Sequence, residues 1–199
     1  AKRLEVSRPT ARQALQHLVD RGLVKRRRGV GTIVSPMHVH RPMQLTSLLS
    51  DLSAAGHTTS TSVLDYVEHE ADADDAEHLE VEEGTAVVTC TRIRCADGEP
   101  IAVLSNLMPA TIAPTREALE SGGLYDLLRA QDAVPTTAKQ TIGARNATAR
   151  EAELLHERRR AALMTATRIT YDQSGRVIEY GQHIYRASRY TFETSLFSS

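Results

Sequence analysis

Apolar residues recur at Ala11, Ala14, Leu15, Leu18 and Val19. That is helical spacing, and it predicts a helix with one buried face. Ser7 is placed to cap the helix, Pro9 is tolerated in its first turn, and Gly22 ends it. The opposite face carries Arg8, Thr10, Arg12, Gln13 and Gln16, donors suited to phosphates and base edges. Residues 23–34 then read as a hairpin with Arg28, Gly29, Val30 and Gly31 at its tip. Residues 36–44 hold two prolines and no periodicity, which predicts a linker.

Beyond the linker the pattern alternates between short helices and strands. Helices are predicted over 45–56, 73–79, 124–130 and 147–156, and strands over 61–69, 85–95, 101–107, 135–142, 163–171, 177–185 and 190–196. Asp97-Gly98 and Ser174-Gly175 mark two hairpin turns. Hairpins interleaved with short helices argue for an α+β fold with a mostly antiparallel sheet. Leu124, Leu127 and Leu128 have core spacing on their helix.

Charge sharpens this division. Residues 1–35 hold nine Lys or Arg against two acids, a net of +7, and the whole chain is at −1, so residues 36–199 carry −8. A basic head on an acidic body points to polyanion binding by the head. Hydrophobic content of 41% is that of a globular chain, and no apolar run is long enough to span a membrane. Cys90 and Cys95 are too few for a disulfide scaffold and are expected as reduced, inert thiols on opposite strand faces, in keeping with a cytoplasmic address. His38 and His40 lack further nearby ligands, Glu157 to Arg160 reads as a solvated turn, and neither metal nor cofactor is expected.

The series Ser7-Arg8-x-Thr10-x-Arg12-Gln13-Ala14-Leu15, Gly22-Leu23 and Gly29-x-Gly31-Thr32-x-Val34 closely resembles the winged helix-turn-helix of GntR-type bacterial repressors. The resemblance implies that Ser7, Arg8, Thr10, Arg12, Gln13, Arg28, Gly29 and Gly31 bind operator DNA. A wing glycine would let the backbone approach the minor groove. Residues 1–35 would be the C-terminal part of that domain, since a helix expected before Ala1 has no counterpart. Such a fragment could leave the recognition helix poorly braced.

Residues 45–199 resemble the UTRA effector domain of the HutC branch. The likeness rests on Leu45-Thr46-Ser47, Thr91-Arg92-Ile93-Arg94 before Asp97-Gly98-Glu99-Pro100, Leu124-Tyr125-Asp126, and Tyr185-Arg186-x-x-Arg189-Tyr190-x-Phe192. It implies a chorismate-lyase-like fold, a homodimer, and a bound metabolite that alters DNA affinity. Ser47, Leu48, Arg92, Arg94, Tyr125, Glu179 and Tyr185 fall on its pocket positions. Three residues depart from sugar-sensing relatives: Leu104 replaces a glutamate, Gly123 a serine and Leu49 a threonine.

Arg92 and Arg94 are two apart on a strand, on one face and roughly 7 Å apart. Two guanidinium forks there suit a phosphate or carboxylate; a solvent-facing strand edge is the plainer reading. Leu104 cannot bond a polyol, which favours an anionic effector less hydroxylated than an amino-sugar phosphate. Alternatively, Glu179 takes over a sugar contact, or Glu179 and His183 form a satisfied polar pair. The expected function is a ligand-responsive DNA-binding regulator, a repressor, with operator DNA and a small anionic metabolite as partners. A lyase-like enzyme on the same fold is the alternative, and a metabolite-binding module whose head no longer binds DNA is a third reading.

Overall fold

The computed structural model describes residues 7–20, 24–27, 31–34, 39–42 and 45–193. The chain divides into two compact units, Ala1–His40 and Arg41–Ser199.

In the first unit α1 spans Arg8–Asp20, and β1 (Val24–Arg27) pairs antiparallel with β2 (Gly31–Val34), from Val24 opposite Val34 to Arg27 opposite Gly31. Ser7 caps α1 as expected: its Oγ accepts from Thr10 N at 3.2 Å, and its carbonyl accepts from Ala11 N. Gly31 sits at φ 101, a conformation that excludes ordinary side chains. The expected buried face differs from what is observed. Leu15 is 41% exposed and Leu18 37%, Ala14 is exposed and Ala11 half-buried. Among the described residues of this unit only two four-residue strands accompany the thirteen-residue helix, too little to cover the face that periodicity marks. Gly22 and the wing tip, Arg28 and Gly29 included, lie outside the described residues.

Part of the expected linker is a strand, β3 (Val39–Pro42). It forms a two-stranded sheet with β10 (Tyr190–Glu193), the last strand read from the sequence. Backbone pairing requires no alternation of side chains, so this strand carried no periodic signal.

The second unit is built on a six-stranded antiparallel sheet. Its strands are β4 (Thr59–Glu70), β5 (Ala86–Ala96), β6 (Glu99–Pro109), β7 (Thr137–Asn146), β8 (Ala162–Tyr171) and β9 (Val177–Arg186), in the order β4-β5-β6-β9-β8-β7. The hairpins fall where Asp97-Gly98 and Ser174-Gly175 place them, with Asp97 at φ 51 and Gly98 at φ 79. The helices are α2 (Leu48–Ala54), α3 (Ala73–Leu79), α4 (Arg116–Ser121), α5 (Leu124–Ala130) and α6 (Ala149–Leu154). On one sheet face Val63, Cys90 and Met108 pack with Leu119 of α4 and Leu124, Tyr125 and Leu128 of α5. The other face is covered in two patches. Ala76 and Leu79 of α3 pack with Val87, Leu107 and Val177, and Ala152 of α6 packs with Val103 and Leu163. Cys90 is buried, burial pushes its thiol pKa up, and Cys95 lies on the other face, so both cysteines are free thiols. Among the described residues no helix is long and apolar enough to cross a membrane.

α6 starts at a capping box. Thr148 Oγ1 accepts from Glu151 N, and the Glu151 carboxylate accepts from Thr148 N. The same carboxylate takes a two-pronged bond from Arg145, at 2.7 and 2.6 Å. Arg145 thereby holds the Glu151 carboxyl down to about 2. A depressed carboxyl pKa stabilises the fold above the ordinary carboxylate range, and that stabilisation is lost as pH falls toward 2. Arg145→Ala is therefore expected to lower the melting temperature at pH 6, with the gap to wild type closing between pH 4.5 and pH 2. A gap constant across that range would show that the pair contributes nothing through ionisation.

Candidate functional site

Arg92 and Arg94 follow Cys90 at alternate positions on β5, so all three share the face covered by α4 and α5. The pairing register carries that face across the sheet. Cys90 lies opposite Asn106, Arg92 opposite Leu104 and Arg94 opposite Ala102. Leu104 in turn faces His183, Ala102 faces Tyr185, and Gly181 faces Arg168 on β8. Polar side chains from neighbouring strands thus converge beneath α2 and α5 on a cavity of about 30 Å³. Thr46, Ser47, Leu48, Leu124 and Tyr125 close it from above.

Arg92 and Arg94 are each only 2% exposed. A solvent-facing strand edge is therefore excluded, because the helices bury the face that alternation assigned to the pair. Burial pushes both guanidinium pKa values down, Arg94 to about 10 with Arg92 adding like-charge repulsion. Arg92 Nε and Arg94 Nε and Nη1 are buried and find no hydrogen-bond partner among the described residues.

The rest of the floor is a continuous network. Arg92 Nη2 donates to Asn106 Oδ1 at 2.6 Å, and Asn106 Nδ2 donates to Glu179 Oε1. Glu179 Oε2 accepts from Thr170 Oγ1 at 2.6 Å and from the Tyr125 hydroxyl at 3.4 Å. Arg168 Nη1 donates to the Tyr125 hydroxyl at 2.9 Å, and Arg168 Nε donates to Gln140 Oε1 at 2.7 Å. His183 Nε2 lies 3.2 Å from Asn106 Nδ2, and its Nδ1 lies 3.3 Å from the Tyr185 hydroxyl. Tyr185 stacks on Tyr190 at 4.2 Å between ring centroids, with Phe192 edge-on. Burial pushes the Glu179 carboxyl up, opposed by Thr170, Arg168, Asn106 and Arg92. Tyr125 is pushed up to about 12 by burial and by Glu179.

All seven residues expected in the pocket line this one cavity: Ser47, Leu48, Arg92, Arg94, Tyr125, Glu179 and Tyr185. Their availability differs. Ser47 Oγ is the cap of α2, accepting from Ser50 N at 3.0 Å. Leu104 is 5% exposed and lines the cavity as an apolar wall. A Cβ on Gly123 would stand 2.7 Å from Ser47 Oγ, so the glycine makes room for that cap and a serine would crowd it. Asn106, Arg168, Thr170 and Gln140 were not read as site residues. A regular hairpin about Asp97-Gly98 would set Ser105 opposite Cys90; a register shift between Arg94 and Cys95 brings Asn106 there instead, and nothing in the sequence marks that shift or Arg168 as facing inward.

In the first unit Ser7, Thr10, Arg12 and Gln13 are exposed on or next to α1, and Gly31 opens β2. Arg8 starts α1.

Comparison with known proteins agrees with both units. Residues 1–34 match the model of bacterial regulatory proteins of the gntR family, and residues 54–191 match the UTRA domain. The HTH-type transcriptional repressor NagR of Bacillus subtilis is 32% identical over 195 residues, covering 96% of this chain and 80% of that protein. The HTH-type transcriptional repressor PhnF of Mycolicibacterium smegmatis is 31% identical, covering 96% and 79%. The crystal structure of PhnF from Mycobacterium smegmatis superposes with a TM-score of 0.83 at 30% identity, over 100% of this chain and 89% of that one. A putative transcriptional regulator from Streptomyces coelicolor is 42% identical over 69% of this chain and 92% of its own, with a TM-score of 0.63. A basic α1 and wing followed by a sheet with a buried arginine pair thus belong to a transcriptional regulator of the GntR family, with a UTRA domain as its second unit.

Proposed function

We propose that this regulator is a cytoplasmic homodimeric repressor whose operator affinity is set by a small anionic metabolite held in the Arg92–Arg94 cavity. The observation that carries this reading is the buried arginine pair with three unpartnered donors. Unsatisfied buried N–H groups and unpaired buried charge are costly, and an oxyanion relieves both. The cavity of about 30 Å³ has room for a water or two, so a metabolite must widen it. α2 and α5 supply its upper wall without being strands of the sheet, and they are the elements that can give way. Leu48, Leu104 and Leu124 line the space beside the arginines, which favours an effector with few hydroxyls. A shift of about 1.4 kcal/mol between the two sites changes DNA affinity tenfold.

The lyase reading lacks support. Its one candidate acid, Glu179, is 0% exposed with both oxygens engaged by the protein.

A thermal-shift panel of phosphorylated sugars, carboxylates and organic acids tests the effector site. Anions are expected to raise the melting temperature of wild type and to leave Arg92→Ala plus Arg94→Ala unchanged. Equal responses would remove the arginines from the site. For the DNA unit, Arg12→Ala is expected to weaken binding to a selected operator fragment. If Arg12 meets a phosphate, the slope of log affinity against log salt should fall by about 1. An unchanged affinity would take Arg12 out of the interface.

A further inference from the structure

Tyr185 lines the cavity and is 0% exposed. Register sets it in one row with a buried arginine: Arg94 lies opposite Ala102, and Ala102 opposite Tyr185. Ala102 carries only a methyl, so along that row the Arg94 side chain is followed by the Tyr185 ring. The ring is backed on its other sides. Tyr190 stacks on it with 16° between the planes, Phe192 meets it edge-on at 5.4 Å, and His183 stands edge-on at 6.2 Å.

Tyr190 and Phe192 are alternate residues of β10, so both rings leave the strand on one face, and they pack on each other at 5.1 Å. Tyr190 is 1% exposed, and neither ring lines the cavity. The turn that joins β9 to β10 is fixed at its base. Arg186 donates to Glu157, to Glu99 and to the Pro100 carbonyl, Ser188 donates to Glu157, and Arg189 N donates to the Arg186 carbonyl. Beyond that turn β10 pairs with β3, in a sheet of two four-residue strands. Such a ribbon is marginal by itself, so its position follows what it packs on. The division between the two compact units falls inside β3, between His40 and Arg41.

We infer that Tyr185, Tyr190 and Phe192 form a lever that carries the filling of the cavity to β3, the strand that leads to the first unit. A group too large for about 30 Å³ that settles beside Arg94 displaces the Tyr185 ring. Close packing passes the displacement on to Tyr190 rather than absorbing it. β10 then turns about the pinned residues 186–189, and β3 moves with it. This rests on the anion-binding reading of the cavity. It adds a route for the response, through an aromatic stack and a strand outside the cavity.

Methyl phosphate serves as the probe, with its binding to the full chain followed by calorimetry. In wild type, hydrogen exchange at the amides of residues 190–193 and 39–41 is expected to change in proportion to the bound fraction. Bound probe with unchanged exchange there would overturn the lever. Absence of binding would instead overturn the anion-binding reading beneath it.

Tyr190→Leu removes the stacked ring without altering a cavity-lining residue. The variant is expected to bind methyl phosphate as wild type does. The ratio of operator affinities with and without the probe, at least about fivefold in wild type, should fall to one. Tyr190→Phe keeps the ring and should keep the ratio. A wild-type ratio in Tyr190→Leu would overturn the lever, as would a wild type whose operator affinity ignores bound probe. Loss of anion affinity in Tyr190→Leu would also overturn it, by making Tyr190 part of the binding site itself. The wild-type exchange measurement stands on its own if that variant does not fold.

Discussion

Arg94→Met is expected to raise the melting temperature of the ligand-free protein while abolishing its response to anions. Arg94 is 2% exposed, its Nε and Nη1 are without partners among the described residues, and the neighbouring Arg92 charge is repulsive. Each unsatisfied buried donor costs about 1–3 kcal/mol, and replacing a buried charge by an apolar side chain of similar length removes that cost. For a domain of this size 1 kcal/mol corresponds to about 2–4 °C. Gaining stability while losing binding is what a buried anion site with unmet donors requires, since their cost is relieved by the ligand. Scanning calorimetry with and without inorganic phosphate reads both halves. A lower melting temperature in the variant would mean that Arg94 stabilises the fold without any anion.

Gly181→Ala is expected to damage the cavity from beneath. Its Cβ would overlap Glu179 Oε1 and stand 2.7 Å from His183 Nε2, and both side chains rise from the same strand. Overpacking of this kind costs about 1–3 kcal/mol. It also pushes aside the carboxylate that holds Asn106, and Asn106 holds Arg92. Both stability and anion affinity should fall. Gly175→Ala is the matching control: at φ 79 with open space around it, it strains a turn and touches nothing in the cavity. That variant should lose stability and keep its anion response. If Gly181→Ala binds anions as wild type does, the Asn106–Glu179 network does not position Arg92.

The sheet was legible where its strands alternate, as β5 does throughout and β8 and β9 do in part, and where a nearly all-buried strand such as β6 follows a clear turn. β5 reads apolar at its buried positions and is interrupted there only by Arg92 and Arg94, which is what brought the pair to notice. β7 is exposed along nearly its whole length, so its extent had no pattern to mark it; it runs over Thr137–Asn146, where 135–142 was expected. α4 escaped notice because it is six residues long and buries only Leu119. Short helices held by tertiary packing leave little periodic trace. In the site, residues that stand out by type were found, and those that matter by pairing were not. Asn106 and Arg168 look like ordinary strand polar residues until register places them face to face with Gly181. Gly123 reads in sequence as a missing hydroxyl, yet its Cβ position is filled by Ser47 Oγ.

The most direct measurement is isothermal titration of the intact chain with a phosphate monoester, comparing wild type with Arg92→Ala plus Arg94→Ala. The account predicts one saturable site per chain in wild type and none in the variant, with the variant still folded by circular dichroism. Equal binding by both proteins, or none by wild type, would contradict it.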